Sequence, residues 1–459
     1  MKRFLFHTSL PPMAAFTCHY IGLSSENAPV FTAFGLLLWM LYWWIQGTVS
    51  IGITALVPLL YLPVTGLIGI EEVSSRYANP IIFLFLGGFM LAIALEKYGI
   101  HTLMAKRIVK AMGFSARQRV RSVLISAALL SMWISNTATA LIMLPIAVSF
   151  SEIADPILSK KANFHHRLFL AIAVGANIGG MATLVGTPPN LFFSAFLKSD
   201  LNIDVNFFEW MTFGVPTATV LLVVADFLLL RGIEKNKMIP EPIEAGKLNL
   251  DQKRILLVFS LVAFFWISKP LWGAPVANLH DAVIAFAGIV LLQLIPRKGV
   301  NEPLLVWRDI QQLPWDIVLL FGGGLSLALA LQTGGVFAQL ELFVTALGKT
   351  HIILSILVFC LIGIFLTEIM SNIAMVAVLL PLILELSSKY QLSFFYIALP
   401  LVLGASCAFM LPIATPPNAI VFGSKRITVK EMMNFGLRMN IASVFVISSI
   451  VYLLYTWKT

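Results

Sequence analysis

Apolar residues along this chain come in long uninterrupted blocks, and polar residues gather in short clusters between them. Residues 33–62, 122–151, 212–230 and 439–457 are such blocks, and Asp226 is the single charge among them. A run of about 18 apolar residues reads as a helix able to cross a hydrocarbon core about 30 Å thick. Counted this way, the pattern predicts roughly ten to twelve spanning or re-entrant helical segments. The ten-residue alternation that marks a membrane β-barrel does not occur. The expected class is an all-α, polytopic membrane protein.

The blocks repeat. SNTATALIMLP starts at Ser135, and SNIAMVAVLLP starts 236 residues later at Ser371. The same offset aligns residues 83–100 with 319–336, pairing Gly87 with Gly323, Gly88 with Gly324, Ala92 with Ala328, Ala94 with Ala330 and Gly99 with Gly335. GTPPN, ending at Asn190, returns as ATPPN, ending at Asn418, at an offset of 228. Each half reads Gly-Gly segment, Ser-Asn motif, Thr-Pro-Pro-Asn motif. One shared dipeptide would be noise; three in the same order are a duplication.

Charge orients the two copies. Residues 105–121, before the first Ser-Asn motif, carry Lys106, Arg107, Lys110, Arg117, Arg119 and Arg121, and residues 152–167 add Lys160, Lys161 and Arg167. The matching flanks of the second copy, residues 341–357 and 388–403, carry only Lys349 and Lys389. The positive-inside rule puts the first pair of flanks in the cytoplasm and the second pair outside. The repeats are therefore expected to be inverted, an arrangement found in secondary transporters. Residues 122–151 hold no charge and make about 45 Å of helix, long for one crossing and short for two. With both flanks cationic, both ends belong on one side. A re-entrant hairpin with its tip near residues 135–137 meets both conditions, and residues 352–383 would enter from the opposite face.

Irregular backbone at membrane depth persists only where it lines a cavity or is buried in protein. Broken helices expose N–H groups at one end and carbonyls at another. The N–H ends suit anions, and the carbonyl ends, with Ser, Thr and Asn oxygens, suit a small hard cation such as Na⁺. Ser135, Asn136 and Thr137, with Ser371 and Asn372, offer both kinds of group; Thr187-Pro188-Pro189-Asn190 and Thr415-Pro416-Pro417-Asn418 supply the complementary half. Each Pro pair is expected to stop its helix and free the carbonyls upstream. Residues 122–151, 168–197, 352–387 and 392–424 contain no Lys, Arg or His, and their acids are Glu368 and Glu385. A dianion bound among them finds no cationic side chain, and its desolvation is costly. Co-bound Na⁺ is the natural counter-charge, and two half-sites suggest a substrate with two acidic ends. The bland readings are interhelical glue for Ser and Asn, close helix packing for the Gly-Gly pairs, packing for Trp133, and a structural role for Glu368 beside the second motif. Glu96 and Lys97 are expected at an interface, and His101, His165 and His166 in solvent beside the basic loops.

Composition agrees: 59% of residues are hydrophobic and 12% charged, against about 25% charged in soluble domains. The net charge of +9 fits cytoplasmic loops, and no aromatic-basic nucleic-acid module is present. Cys18, Cys360 and Cys407 imply no disulfide framework. His7, Pro11, Pro12 and His19 interrupt the apolar run at the N-terminus, so a cleaved signal peptide is not expected.

These motifs resemble those of the divalent anion/sodium symporter family, the dicarboxylate and citrate transporters. The twin SNT motifs of that family match Ser135-Asn136-Thr137 and, with one departure, Ser371-Asn372-Ile373; its C-terminal signature resembles residues 405–421, including Ser406, Phe409, Pro412 and Asn418. The resemblance runs from about residue 31 onward. It implies a multi-pass protein of the bacterial inner membrane, a homodimer in which a transport domain slides against a scaffold as an elevator. The implied division is an N-terminal segment 1–30, scaffold helices 31–78, a first repeat core 79–230 with hairpin 122–154 and broken helix 168–197, and a cytoplasmic linker 231–254. It continues with scaffold helices 255–314 and a second repeat core 315–459 with hairpin 352–388, broken helix 393–424 and a C-terminal helix. At least two sodium ions are implied, one at Ser131, Ser135, Asn136 and backbone near Gly186, the other at Thr367, Ser371, Asn372 and backbone near Ala414. Substrate carboxylates would meet Ser135, Asn136, Thr137, Thr187, Ser371, Asn372 and Thr415, with Pro188, Ile373 and Pro416 beside them. Ile373 lacks the hydroxyl of Thr137, which makes the second half-site less polar.

Sodium-coupled symport of C4-dicarboxylates, the succinate, malate and fumarate class, is the expected function. Exchange of dicarboxylates or of citrate for a dicarboxylate, and transport of an inorganic anion such as sulfate, remain as alternatives. A proton-coupled antiporter needs an ionisable midplane residue, for which only Glu368 qualifies. An intramembrane enzyme needs a nucleophile with a base or a metal-ligating set, which the core segments lack. A channel does not call for enclosed half-sites.

Overall fold

A computed structural model describes residues 2–24, 27–155, 157, 163–234, 237–240, 246–272, 279–336 and 351–458. Lys160, Lys161 and Lys349, on which part of the charge reading rests, lie outside the described residues. Among the described residues the fold is helical, with eight helices long and apolar enough to cross a membrane and four shorter apolar ones. The only strand-like pairings described there are the isolated bridges Ser115 to Met238 and Pro296 to Pro303.

Each Ser-Asn motif forms the bend of a helical hairpin. The first comprises helices Ala116–Ser131 and Asn136–Ala154, the second Ile352–Leu366 and Asn372–Tyr390. Ser115 and Gln118 close a capping box that starts the first arm, pairing two backbone donors left free at a helix start. The tips fall at residues 132–135 and 367–371, slightly ahead of the expected 135–137, because Ser135 and Ser371 stand just outside the first turns of the returning helices.

The Thr-Pro-Pro-Asn segments break their helices differently from the expectation. The first half-helix, Phe164–Met181, ends before the Pro pair, and Pro188 opens the next, Pro188–Leu201. In the second copy Phe394–Gly404 and Pro416–Gly423 flank the gap. The Pro pairs thus restart helices and do not stop them. Proline is favoured at a first helical position because its missing N–H would have no intrahelical partner there.

Each hairpin packs along its neighbouring broken helix, and the helices Phe207–Leu230 and Val429–Lys458 pack on these elements. Close contact comes from glycine. A Cβ at Gly179 would run into the backbone of Ala128, and in the second copy the close approach is Gly363 against Leu401. Small residues let membrane helices approach to backbone contact. Around this group stand Ala28–Gln46, the short helices from Ile51 to Tyr77, Pro80–Lys97, Leu250–Ser268, Asp281–Leu294 and Trp315–Thr333. The Gly-Gly pairs serve packing there: a Cβ on Gly87 would come 2.6 Å from that of Ala285.

The first residues form a helix, Lys2–Gly22, which the broken hydrophobicity hid. Its histidines find partners on the next helix, His7 Nδ1 at 2.6 Å from Tyr42 Oη and His19 Nδ1 at 2.8 Å from Thr32 Oγ1. The described part of the linker is strapped to the base of the first hairpin. Ile239 N–H donates to the Phe114 carbonyl at 2.7 Å, and the buried Arg119, over the rings of Phe114 and Phe150, donates to the Ile239 carbonyl. The three histidines expected in solvent are partly buried and held. His165 sits 2.8 Å from Ser151 Oγ, His166 3.6 Å from Glu431, and His101 3.2 Å from the Leu95 carbonyl. Burial holds the His101 imidazole below its ordinary pKa.

Candidate functional site

Both hairpin tips are built alike. Asn136 and Asn372 occupy the first helical position after the bend, and the last turn of the preceding arm reaches them. Ser131 Oγ lies 2.6 Å from Asn136 Oδ1, and Thr367 Oγ1 lies 2.6 Å from Asn372 Oδ1. Thr367 Oγ1 is also 2.9 Å from the Ala405 carbonyl. A hydroxyl has one proton to give, so this group of three oxygens is short of donors. In the first half, a Cβ built on Gly180 would fall 2.6 Å from Asn136 Oδ1 and 3.2 Å from the Gly186 carbonyl. Oxygens of the tip and of the broken-helix loop therefore flank one small space. Clusters of neutral oxygens lacking protons suit a hard cation.

The loops of the two broken helices are held by equivalent bonds. Asn190 Nδ2 donates to the carbonyls of Gly180 and Thr183 at 3.1 and 2.8 Å. Asn418 Nδ2 donates to those of Ala408 and Leu411 at 3.0 and 2.9 Å, the same positions one repeat later. Loop and tip are joined by different means. In the first half Thr183 Oγ1 donates to the Met132 carbonyl. In the second, the position matching Met132 is Glu368, whose carboxylate accepts from the backbone N–H groups of Phe409, Met410 and Leu411 at 2.9–3.0 Å and from Asn440 Nδ2 at 2.8 Å. Glu368 is thus a buried anchor, the role the sequence favours for it. The halves touch through Asn177, whose Nδ2 donates to the Ala408 carbonyl and Thr415 Oγ1.

These ends meet at one cavity of about 600 Å³. Ser135, Asn136, Thr137, Thr187, Pro188, Ser371, Asn372, Ile373, Thr415 and Pro416, drawn from four separate stretches, all line it, as do Gly186 and Ala414. Ser131 and Thr367 are fully buried behind the wall, against the two asparagines. The capping differs between halves: Ser135 Oγ accepts from Ala138 N–H at 3.1 Å, whereas the Ser371 side chain makes no capping bond. Proline removes the leading N–H donors of both second half-helices, so donors for an anion come from the hairpin starts and the threonine hydroxyls. No Lys, Arg or His lines the cavity among the described residues; Glu96, Gln312 and Asp316 do.

Sequence reading missed Asn177, Thr183 and the wall residues Glu96, Gln312 and Asp316. Asn177 had a signal, as a lone amide in the apolar stretch before the first Thr-Pro-Pro-Asn; the acids had none, since they lie outside both motifs. Trp133 stays out of the cavity, stacked with Phe207 and edge-on to Phe259. Lys97 pairs with Asp309 at 2.6 Å.

The fold and the site define a polytopic membrane transporter. Two solved transporters share the fold. The YdaH transporter of Alcanivorax borkumensis matches with a TM-score of 0.59 over 85% of this chain and 89% of that one, at 15% identity. MtrF of Neisseria gonorrhoeae matches with a TM-score of 0.58 over 83% of each, at 13% identity. In sequence, a family profile described as citrate transporter matches residues 36–395 and 279–459. The sodium-dependent dicarboxylate transporter SdcS of Staphylococcus saprophyticus is 37% identical over 91% of this chain and 85% of its own length. SdcS of Staphylococcus aureus strain USA300 is 34% identical over 91% and 84%. The chain belongs to the divalent anion/sodium symporter family.

Proposed function

We propose that this protein is a sodium-coupled symporter of C4-dicarboxylates, with the succinate, malate and fumarate class as substrate. The observation that carries the reading is the cavity between the duplicated Ser-Asn tips, which has polar half-sites on both sides and no cationic side chain in its wall. A dianion moved there from water is unfavourable without opposite charge, and the donor-poor oxygens at Ser131, Asn136 and Gly186, and at Thr367 and Asn372 with backbone near Ala414, hold sodium beside it. Ser135, Thr137 and Thr187 meet one carboxylate; Ser371 and Thr415 meet the other, beside Ile373. Coupling follows from this arrangement, because the substrate site reaches electrical balance only with its sodium ions. The names of the SdcS relatives support both sodium and the dicarboxylate class.

The hairpins, the broken helices and the helices Phe207–Leu230 and Val429–Lys458 form the moving body. The remaining membrane helices form the frame against which it slides, in a homodimer, with the two repeats inverted. The Gly-Gly helices Pro80–Lys97 and Trp315–Thr333, although part of the duplicated sequence, belong to the frame: Pro80–Lys97 packs on Asp281–Leu294, and Trp315–Thr333 on Ala28–Gln46 and the short helices Ile51–Thr54 and Ile70–Tyr77, while their other sides meet Pro188–Leu201 and Asn372–Tyr390 of the moving body.

The test is uptake of labelled succinate into liposomes holding the purified protein. An inward Na⁺ gradient alone is expected to drive accumulation into vesicles with plain buffer inside. Uptake that needs a preloaded dicarboxylate would make the protein an exchanger. Asn136→Ala and Asn372→Ala are each expected to cut sodium-driven uptake to background while the protein still inserts and elutes as the wild type. Wild-type uptake by either variant would remove its tip from the site.

A further inference from the structure

The cavity wall facing the tips carries Glu96 and Asp316. They are the last glutamate of helix Pro80–Lys97 and the second residue of helix Trp315–Thr333, neither makes an ion pair among the described residues, and an anion carrier has no evident use for them. Both lie at one end of the molecule. Lys97, next to Glu96, bonds Asp309 and the Leu304 carbonyl in the segment leading to Asp316. The same end is cationic outside the cavity, with Lys106, Arg107, Lys110 and Arg117 following Glu96, which makes it the cytoplasmic end. Gln312 and Asp316 are exposed there, so the cavity is open toward the cytoplasm.

Duplication makes a comparison possible. At the 236-residue offset Glu96 corresponds to Gln332 and Asp316 to Pro80, so the inverted positions at the opposite end are neutral. Neither Gln332 nor Pro80 lines the main cavity. Gln332 lines a separate cavity of about 200 Å³, whose acids are Asp200, with Arg76 at 3.8 Å, and Glu385; both stand on the broken-helix and hairpin elements Pro188–Leu201 and Asn372–Tyr390 and not on the Gly-Gly helices. Among the two Gly-Gly helices, Glu96 and Asp316 thus place carboxylates at one mouth of the main cavity, and their repeat positions, Gln332 and Pro80, carry none.

We propose that Glu96 and Asp316 are residues that set the sidedness of substrate affinity. They repel the dicarboxylate when the site is open to the cytoplasm, so release inward is favoured over rebinding, while the outward-open site, carried away from the frame, escapes them. A like charge close to a partly desolvated anion weakens its binding, and no motion beyond the transport cycle is required. The inference rests on the symport reading.

The experiment measures the succinate Michaelis constant at saturating Na⁺ in right-side-out and inside-out membrane vesicles from a bacterial host without dicarboxylate carriers of its own. Wild type is expected to show a higher constant at the cytoplasmic face. In Glu96→Gln/Asp316→Asn the ratio of cytoplasmic to external constants is expected to fall by roughly five-fold or more, and the effect should shrink at high ionic strength. Each single variant should fall between, and Glu96→Asp, which keeps the charge, should keep the wild-type ratio. A ratio unchanged in the double variant, or two faces shifting together, overturns the proposal. A Glu96→Asp variant behaving like Glu96→Gln would trace the effect to shape and also overturn it. If wild type itself shows no sodium-driven succinate transport in either vesicle, the symport reading fails first, and the two failures are told apart by that control.

Discussion

At the scale of single residues, the site depends on what is left out as much as on what is present. Gly180 has no side chain where a Cβ would fall 2.6 Å from Asn136 Oδ1, far inside van der Waals contact. Its repeat counterpart is Ala408. Gly180→Ala would raise helix propensity, so a loss of function in that variant reports the occupied space and not a weaker helix. The half-saturating Na⁺ concentration for uptake is expected to rise ten-fold or more, equivalent to about 1.4 kcal/mol, and maximal uptake to recover at high Na⁺. An unchanged sodium curve would show that no cation uses this space. Ile373 shows the same logic reversed: it lines the cavity where Thr137 stands in the first half, and presents an alkyl side chain in place of a hydroxyl.

At the scale of elements, a helix interrupted inside a membrane has to place its free backbone groups somewhere. The second broken helix does so through Glu368, which takes up the N–H groups of three consecutive loop residues. Glu368→Gln keeps the size but turns an amide NH₂ toward the Leu411 N–H, leaving it unpaired at about 1–3 kcal/mol, and weakens the bonds from Phe409, Met410 and Asn440 by removing the charge they donate to. Thermal unfolding of the detergent-purified variant is expected to show a loss of about 2–4 kcal/mol. Asn440→Ala, which removes one donor to the same carboxylate, should cost less. Equal melting of Glu368→Gln and wild type would mean the carboxylate does not anchor the loop. The first broken helix has no such acid and uses Thr183 on a carbonyl instead. That substitution of one anchor for another explains why the duplication is easy to read at the Ser-Asn and Thr-Pro-Pro-Asn motifs and fades between them.

At the scale of the whole molecule, the inverted arrangement proposed for the repeats makes a topological prediction. Lys110, at the base of the first hairpin, and Ser393, just beyond the second, are both exposed. With Cys18 replaced, and Cys360 and Cys407 buried, a membrane-impermeant thiol reagent should label Lys110→Cys only from the cytoplasmic face and Ser393→Cys only from outside. Labelling of both from one face would make the repeats parallel and remove the positive-inside argument. In the proposed reading, the same inversion would let one cavity be reached from either side by a rigid shift, since each side would meet a tip of the same construction.

Much of this was readable along the chain. Long uncharged blocks leave a membrane helix as the only way to pair their backbone groups, and two copies of three motifs in one order disclosed the duplication, the hairpins and ten residues that line one cavity. Local chemistry suffices for part of that, because Ser-Asn starts a helix in both copies and Thr-Pro-Pro-Asn opens one in both. Tertiary structure decided the rest. The helix at residues 2–22 forms because neighbours satisfy its histidines; the Pro pairs open helices because the chain had already turned at Met181 and Gly404. Asn177 gained meaning only beside Thr415, across 238 residues. Glu96 and Asp316 became part of the site because packing brought the end of one helix and the start of another to a single wall, a relation between distant residues that no local pattern encodes.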